Sequence, residues 1–253
     1  MSAALATIYR HPIKAIGRET LSEVLLEAGK PLSWDRSFAV AHERAREADL
    51  TRTWAPKANF LRGVTGPELM AVECVFNPSN MQITLTHPRA GKFAGNLNRP
   101  EDERALLEWL DPLWPEDAPR PTHLVHHEGA AQTDVPDPWL ALNSRTAHRM
   151  VAEKLNRADL SIHRWRGNLW IDGLGPWEEF EWIGKSVRIG EAVLKVEQRI
   201  TRCKATMANP ETGRRDADTL GALENGWGHT DFGVYAEVTQ TGMIRPGDSV
   251  EVI

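Results

Sequence analysis

Residues 196–213 have the sequence VEQRITRCKATMANPETG. This pattern predicts a strand that ends in a turn at Arg202, Cys203 and Lys204, so that a single cysteine lies between two cations. Nearby positive charge favours the thiolate form of a cysteine, and a thiolate is both a nucleophile and a ligand for soft or high-valent metals. The alternative is that Cys203 is a small buried hydrophobic residue at a strand end, without a chemical role. The rest of the chain has to decide between these two interpretations.

Size and charge limit the classes of partner. A chain of 253 residues is long enough for one large domain or two modest ones that share an interface. The formal net charge of -5 disfavours general binding to nucleic acid or to an acidic membrane, and we expect neither as a partner. Any anion site must therefore be a local concentration of arginine and lysine.

The first ten residues lack the basic segment and the long apolar run of a secretory signal, and we find no apolar stretch long enough to span a bilayer. We therefore expect a cytoplasmic protein. The two cysteines are too few for a disulfide framework, a cysteine-rich zinc site or a four-cysteine iron–sulfur cluster. Cys74 lies in the apolar run 69–76 without adjacent cations, so we interpret it as a core residue.

Alternating or apolar runs predict strands at 4–9, 21–26, 37–42 and 81–86 in the first part of the chain. A helix is predicted from Pro100, because proline suits the first helical position and acidic residues follow it. Residues 111–138 are rich in proline, histidine and acidic residues and contain one short strand at 122–126. We place a seam here and predict two domains, 1–120 and 121–253.

In the second half, Ser144 is predicted to be the N-cap of a helix, because apolar residues recur at helical spacing behind it. Strands follow at 165–172, 186–189 and 192–197, and the chain closes with a β-hairpin pattern. Six or more strands with two helices predict a mainly β, α+β fold of β-barrels decorated with helices. There is no glycine-rich nucleotide loop and no Walker lysine motif in the sequence.

Cations recur at the predicted strand ends. They are Lys14, Arg36, Arg164, Arg166 and Arg202. Guanidinium forks, a lysine and the free amides of a helix start at Ser144 together suit a phosphate, and Asn168 suits the edge of a heterocycle. Taken singly, each of these residues has the alternative of being an ordinary solvated surface group. The histidines show no spacing that would place three of them on one face as zinc ligands.

The order of the motifs is similar to that of a known family. The motifs are Pro12-Ile13-Lys14, Asp35-Arg36, Arg164-Trp165-Arg166-Gly167-Asn168, Arg202-Cys203 before Asn209-Pro210-Glu211-Thr212-Gly213, and Phe232-Gly233-Val234-Tyr235. The chain resembles the MOSC domain family, of the type found in the mitochondrial amidoxime reducing component and its bacterial counterparts. This resemblance implies a MOSC-type β-barrel in 121–253, packed against a smaller N-terminal β-barrel-like domain in 1–120.

The resemblance also implies a cofactor, the molybdenum cofactor. It makes Cys203 the protein ligand to molybdenum and the catalytic residue. The residues implied to hold the pterin and its phosphate are Lys14, Arg36, Ser144, Arg166, Asn168 and Arg202. The sequence departs from the family pattern at Trp165 and Gly167, where phenylalanine and proline are usual, and at Ala15, where serine is frequent.

Three functions are consistent with these residues. The first is a molybdenum-dependent oxidoreductase that reduces N-hydroxylated small molecules by oxygen-atom transfer. Its electrons would come from a separate ferredoxin- or cytochrome-type donor with its reductase, because no iron–sulfur cluster is expected in this chain. No pyridoxal phosphate is expected in this chain either. The second is a sulfur carrier or cofactor-delivery module that uses a persulfide on Cys203. The third is a non-catalytic anion-binding β-domain in which Cys203 is a core residue.

Overall fold

A computed structural model describes residues 2–253, which form fifteen strands and four α-helices. The strands are β1 Ala4–Arg10, β2 Glu19–Leu21, β3 Val24–Leu26, β4 Phe38–His42, β5 Glu73–Asn77, β6 Gln82–His87, β7 Gly91–Asn96, β8 Pro121–His126, β9 Leu140–Ser144, β10 Leu169–Asp172, β11 Ser186–Ile189, β12 Ala192–Thr201, β13 Asp231–Gln240, β14 Gly242–Ile244 and β15 Val250–Val252. The helices are α1 Glu47–Leu50, α2 Pro100–Leu110, α3 Arg145–Lys154 and α4 Thr219–Trp227.

The main sheet has eight strands in the order β15-β11-β12-β13-β9-β10-β1-β2. Its pairs are antiparallel except for β9 and β10, which are parallel. Apolar side chains from one face of these strands, such as Leu142, Leu194 and Val234, form the largest core cluster. The long strands β12 and β13 supply much of it, because their apolar residues recur with the two-residue period of a strand.

The main sheet curls back on itself without closing into a barrel. In residues 2–253 its ladder stays open, and the two ends are joined by a single bridge between Ala4 and Ser249. A hydrogen bond of 2.8 Å from Leu5 N to Asp248 O supports this bridge. The predicted mainly β, α+β class is confirmed, whereas the predicted barrels are not closed.

A second core lies in the first half of the chain. The antiparallel sheet β5-β6-β7 buries alternate residues, including Ile83 and Leu85, against Leu106 and Leu110 of α2. The strands β4 and β8 form a separate antiparallel pair beside it. The main sheet takes β1 and β2 from the beginning of the chain, and the division into 1–120 and 121–253 stays a prediction.

Two predicted strands differ from the structure. The run 21–26 is divided into β2 and β3, because β2 pairs with β1 in the main sheet while β3 pairs with β14. The run 165–172 begins in a 3₁₀ helix, Ile162–Trp165, and the strand starts only at Leu169. The chain changes direction at Arg166, which has a left-handed φ of 49°.

The predicted N-cap is confirmed. Ser144 ends β9 and starts α3, and its Oγ accepts a hydrogen bond of 3.1 Å from Ala147 N. None of the helices in residues 2–253 combines the length and apolar character needed to cross a membrane.

Candidate functional site

A cavity of about 510 Å³ lies where the end of β12 meets loops from the first half of the chain. Its lining contains most of the residues singled out from the sequence. These are Lys14, Arg36, Arg166, Asn168, Arg202 and Cys203. Residues more than 180 positions apart are therefore brought to one site by the fold.

Ser144 does not line this cavity. Its side chain is fully buried and is used as the cap of α3, so that it faces the helix rather than the cations.

Cys203 follows the last residues of β12 and precedes the 3₁₀ helix Lys204–Met207. Its backbone oxygen accepts two hydrogen bonds of 3.1 Å from Thr206, one from the backbone nitrogen and one from the hydroxyl. The turn is thereby fixed, while the cysteine itself is exposed. The interpretation of Cys203 as a core residue is wrong, whereas Cys74 is buried as predicted.

Arg166 and Arg36 are held together in an uncommon backbone conformation. Both have positive φ values, 49° and 51°, and Arg36 Nη2 donates a hydrogen bond of 2.7 Å to Arg166 O. Non-glycine residues in this region carry strain and concentrate at functional sites. Arg166 Nη1 donates to Gly17 O at 3.2 Å, but its buried Nη2 has no partner in residues 2–253. Burial, with a contribution from Arg36, lowers the pKa of Arg166 to about 9, so it remains charged at neutral pH.

Arg202 is committed to the backbone. Its Nε and Nη2 donate to Phe232 O at 2.8 and 2.5 Å, and its Nη1 donates to Trp165 O at 2.7 Å. These bonds join the end of β12 to β13 and to the turn that carries Arg166. Burial lowers the pKa of Arg202 to about 10, and the charge is again retained at neutral pH.

Asn168, like Arg202, is hydrogen-bonded mainly to backbone atoms. Its Oδ1 accepts from Ala141 N at 3.1 Å, and its Nδ2 donates to Tyr9 O at 3.2 Å. The side chain therefore links β9 to β1 at the floor of the cavity, and an amide in this position fixes the spacing of the two strands.

Lys14 is buried and shares a carboxylate with a second lysine. Its Nζ donates to Gln132 O at 2.8 Å and to Asp134 Oδ1 at 2.7 Å, while Lys57 Nζ donates to Asp134 Oδ2 at 3.3 Å. Burial alone would raise the pKa of Asp134, but the two lysines lower it to about 2. Asp134 is consequently a carboxylate at neutral pH and compensates part of the positive charge.

The cavity also contains residues that were not assigned to it from the sequence. Arg62 and Asp134 lie on loops and Lys57 begins the three-residue 3₁₀ helix Lys57–Asn59, so no periodic pattern indicates the direction of these side chains. Tyr235 was detectable in principle. Its neighbours Val234 and Ala236 face the core, so the alternation of β13 turns Tyr235 towards the other side, where the cavity lies.

The lining of the cavity is strongly cationic. It contains eight lysine and arginine residues and, within the described chain, a single carboxylate, Asp134, although the whole protein has a net charge of -5. This concentration of buried or partly buried positive charge favours an anionic ligand. No group of three or more His, Cys, Asp or Glu side chains in residues 2–253 is arranged to hold a metal, so a metal bound at Cys203 would need further ligands from elsewhere.

Comparison with known proteins gives partial matches to two molybdenum cofactor sulfurases. A stretch of 107 residues is 31% identical to a molybdenum cofactor sulfurase from Anopheles gambiae. A stretch of 101 residues is 33% identical to a molybdenum cofactor sulfurase from Drosophila grimshawi. Each match covers 38% of this chain, and the two matches cover 14% and 13% of the respective sulfurases. The chain therefore spans only a small part of these relatives.

Solved structures also show similarity. The YUAD protein from Bacillus subtilis aligns with a TM-score of 0.47 and 11% identity, over 100% of this chain and 96% of that protein. YiiM from Escherichia coli aligns with a TM-score of 0.35 and 20% identity, over 45% of this chain and 53% of that protein. Residues 132–251, which include Cys203 and Arg202, match the family model described as the MOSC domain. This match, over slightly less than half of the chain, confirms the predicted resemblance to the MOSC domain family.

Proposed function

We propose that the cavity binds the molybdenum cofactor and that the protein is a molybdenum-dependent oxidoreductase acting on N-hydroxylated small molecules. The observation that carries this proposal is the presence of an exposed thiol, Cys203, in the same cavity as a set of partly buried arginines and a buried lysine. The MOSC domain and the similarity to proteins named molybdenum cofactor sulfurase support it.

The residues present fit such a group. Arg166 has a buried Nη2 without a partner in the described chain, and a phosphate oxygen would satisfy it. Lys14 has three N–H donors and uses two of them, so one is free for the same oxygen atoms. A thiolate at Cys203 is a suitable ligand for molybdenum, a metal that the pterin would coordinate through its own sulfur atoms. We assign no contact with the cofactor to Ser144.

The cations have different roles in this proposal. Arg166, Arg36 and Lys14 would hold the phosphate, because each keeps at least one uncommitted donor. Arg202 and Asn168 would mainly position the others, since most of their donors are used by backbone carbonyls. When bound, the molybdenum centre would supply two-electron oxygen-atom transfer.

The overall reaction requires protons as well as electrons. Breaking the N–O bond of an N-hydroxylated substrate consumes two electrons and two protons and releases water and the reduced nitrogen compound. We propose a ferredoxin- or cytochrome-type protein, with its reductase, as the source of the electrons. Tyr235 lines the cavity, and burial raises the pKa of its hydroxyl, so this group stays protonated at neutral pH and can donate a hydrogen bond to a bound substrate.

The test is the molybdenum content per chain. We expect the wild-type protein from a molybdate-fed host, purified without oxygen, to contain molybdenum, and we expect Cys203→Ser to lose most of it. Cys74→Ser is the matched control, because Cys74 is buried in the other core and should have no effect on the metal. Equal molybdenum content in the wild type and in Cys203→Ser would refute the ligand assignment.

A second candidate function is sulfur transfer. It is favoured by the matches to sulfurases and by the exposure of Cys203 beside Arg202, whose charge would stabilise an anionic persulfide. In this case Cys203 would accept a sulfur atom from a cysteine desulfurase and pass it on. Mass spectrometry after incubation with a desulfurase and cysteine would show a cyanide-labile addition of one sulfur atom at Cys203. Its absence under turnover would exclude this function.

A further inference from the structure

The cations of the cavity differ in what they already bind. Lys14 and Lys57 share Asp134, and Arg164 forms an ion pair of 2.5 Å with Asp216. Arg36 pairs with Asp35, and the guanidinium of Arg199 lies 4.3 Å from the centre of the Phe180 ring. Arg166 and Arg202 are bonded to backbone carbonyls. Seven of the eight lysine and arginine residues that line the cavity therefore have a partner.

Arg62 is the eighth. It is partly buried and lines the cavity, and its guanidinium has no hydrogen-bond acceptor, carboxylate or aromatic ring as a partner in residues 2–253. A partly desolvated guanidinium with all five donors uncommitted is a binding site for a carboxylate or a similar anion.

Arg62 also belongs to the thiol end of the cavity. The next residue, Gly63, packs against the 3₁₀ helix that begins directly after Cys203, since a Cβ added at position 63 would lie 3.4 Å from the Cβ of Ala205. The same loop is attached to the second half of the chain by a hydrogen bond of 2.6 Å from Arg215 to Val64 O. The loop that carries Arg62 is thus in contact with the turn that follows the thiol.

We infer that Arg62 binds an anionic group of the substrate, so that the enzyme prefers N-hydroxylated compounds that carry a carboxylate over neutral ones. This inference rests on the proposed reductase function and names the substrate class of that site. Arg62 is a specificity-determining residue in this scheme, while Arg166, Arg36 and Lys14 hold the phosphate of the cofactor.

Two probes with the same reacting group test the preference, benzamidoxime and its 4-carboxy derivative. The wild type should show a higher kcat/KM for the carboxylated probe. Arg62→Gln should lower kcat/KM for this probe about tenfold, through KM, and should leave the neutral probe unchanged; Arg62→Lys should retain part of the preference. Arg104→Gln is the control, because Arg104 is exposed on α2 and distant from the cavity lining.

Two further measurements separate the possible failures. Molybdenum content should be equal in Arg62→Gln and wild type, and a loss of metal would place Arg62 in the cofactor site and overturn the inference. Calorimetric binding of 4-carboxybenzamidoxime should be weakened by Arg62→Gln, and equal affinity would also overturn it. If neither probe is reduced while binding still depends on Arg62, the reductase function fails and the anion site stands.

Discussion

Glu179 is a buried carboxyl group whose effect on the unfolding free energy can be tested quantitatively. It lies in the 3₁₀ helix Glu178–Trp182, close to the backbone nitrogen of Ser144 at the start of α3. Its side chain is sealed from solvent, and neither carboxyl oxygen has a hydrogen bond of good geometry in residues 2–253. Burial raises its pKa from 4.5 to about 7. We predict that Glu179→Gln stabilises the protein at pH 8 and does not do so at pH 4.5.

The direction in which Glu179→Gln changes stability with pH follows from proton linkage. Between the unfolded pKa of 4.5 and the folded pKa of about 7, the folded state holds a proton that the unfolded state releases. The contribution of Glu179 is therefore fully present below pH 4.5 and is lost as the pH rises through 7. The difference between the two pKa values corresponds to about 3 kcal/mol of unfolding free energy. Glutamine has nearly the same shape and cannot ionise, so it avoids this loss.

The assay is urea unfolding followed by tryptophan fluorescence at several pH values. Burial lowers the pKa values of His148 and His163 to about 4, and their contributions change in the opposite direction as the pH falls. The quantity to measure is consequently the difference in unfolding free energy between Glu179→Gln and wild type, which should rise by about 3 kcal/mol from pH 4.5 to 8. Glu181→Gln, an exposed neighbour in the same helix, should give a constant difference. A constant difference for Glu179→Gln would refute the reasoning.

Other contacts give sharp expectations. An alkylating reagent should modify Cys203 in the folded protein and spare Cys74, because Cys203 is exposed whereas Cys74 is buried, and peptide mass mapping would reveal equal modification if this is wrong. Gly167→Ala should destabilise the protein by about 1–3 kcal/mol, because its Cβ would overlap the buried side-chain amide of Asn143. Gly226→Ala in α4, where the atom nearest to the added Cβ is 3.8 Å away, should stabilise the protein by about 0.5–1 kcal/mol in the same urea assay. If both substitutions changed the unfolding free energy in the same direction, this reasoning would be wrong. Asp134→Asn should increase the affinity for inorganic phosphate about threefold by calorimetry, because two cavity lysines lose their carboxylate; unchanged affinity would show that the anion does not reach them.

Local features of the fold could be predicted from the sequence, and long-range ones could not. The cap at Ser144 and the strand end before Cys203 depend on neighbouring residues, and both were predictable. The division of the run 21–26 depends on two different partner strands, β1 and β14, of which the second is more than 200 residues away. The contact between the two ends of the open main sheet depends on a few backbone hydrogen bonds that residues 247–250 make with Ala3 and Leu5, and no side-chain pattern encodes them.

The candidate site shows the same division. Lys14, Arg36 and Arg166 were found because they occur in ordered motifs, whereas Arg62 and Asp134 stand in loops whose positions are set by distant contacts. The sequence also could not distinguish residues that bind a ligand from residues that fix the strands around the cavity. Arg202 and Asn168 line the cavity as expected, but their hydrogen bonds to backbone atoms show that they fix the surrounding strands.

Two partly buried arginines, Arg166 and Arg202, link the stability of the fold to the binding of an anion. Arg166 and Arg202 are charged at neutral pH, and their hydrogen-bond acceptors are neutral carbonyl groups. The protein compensates their charge only in part, through Asp35 for Arg166 and Asp134 for Arg202. The lowering of both pKa values by burial measures the cost of keeping these charges out of water. An anion that enters the cavity offsets this cost, because it interacts with the folded state and not with the unfolded chain. The charge in the cavity therefore lowers the stability of the free protein and favours the binding of an anionic group.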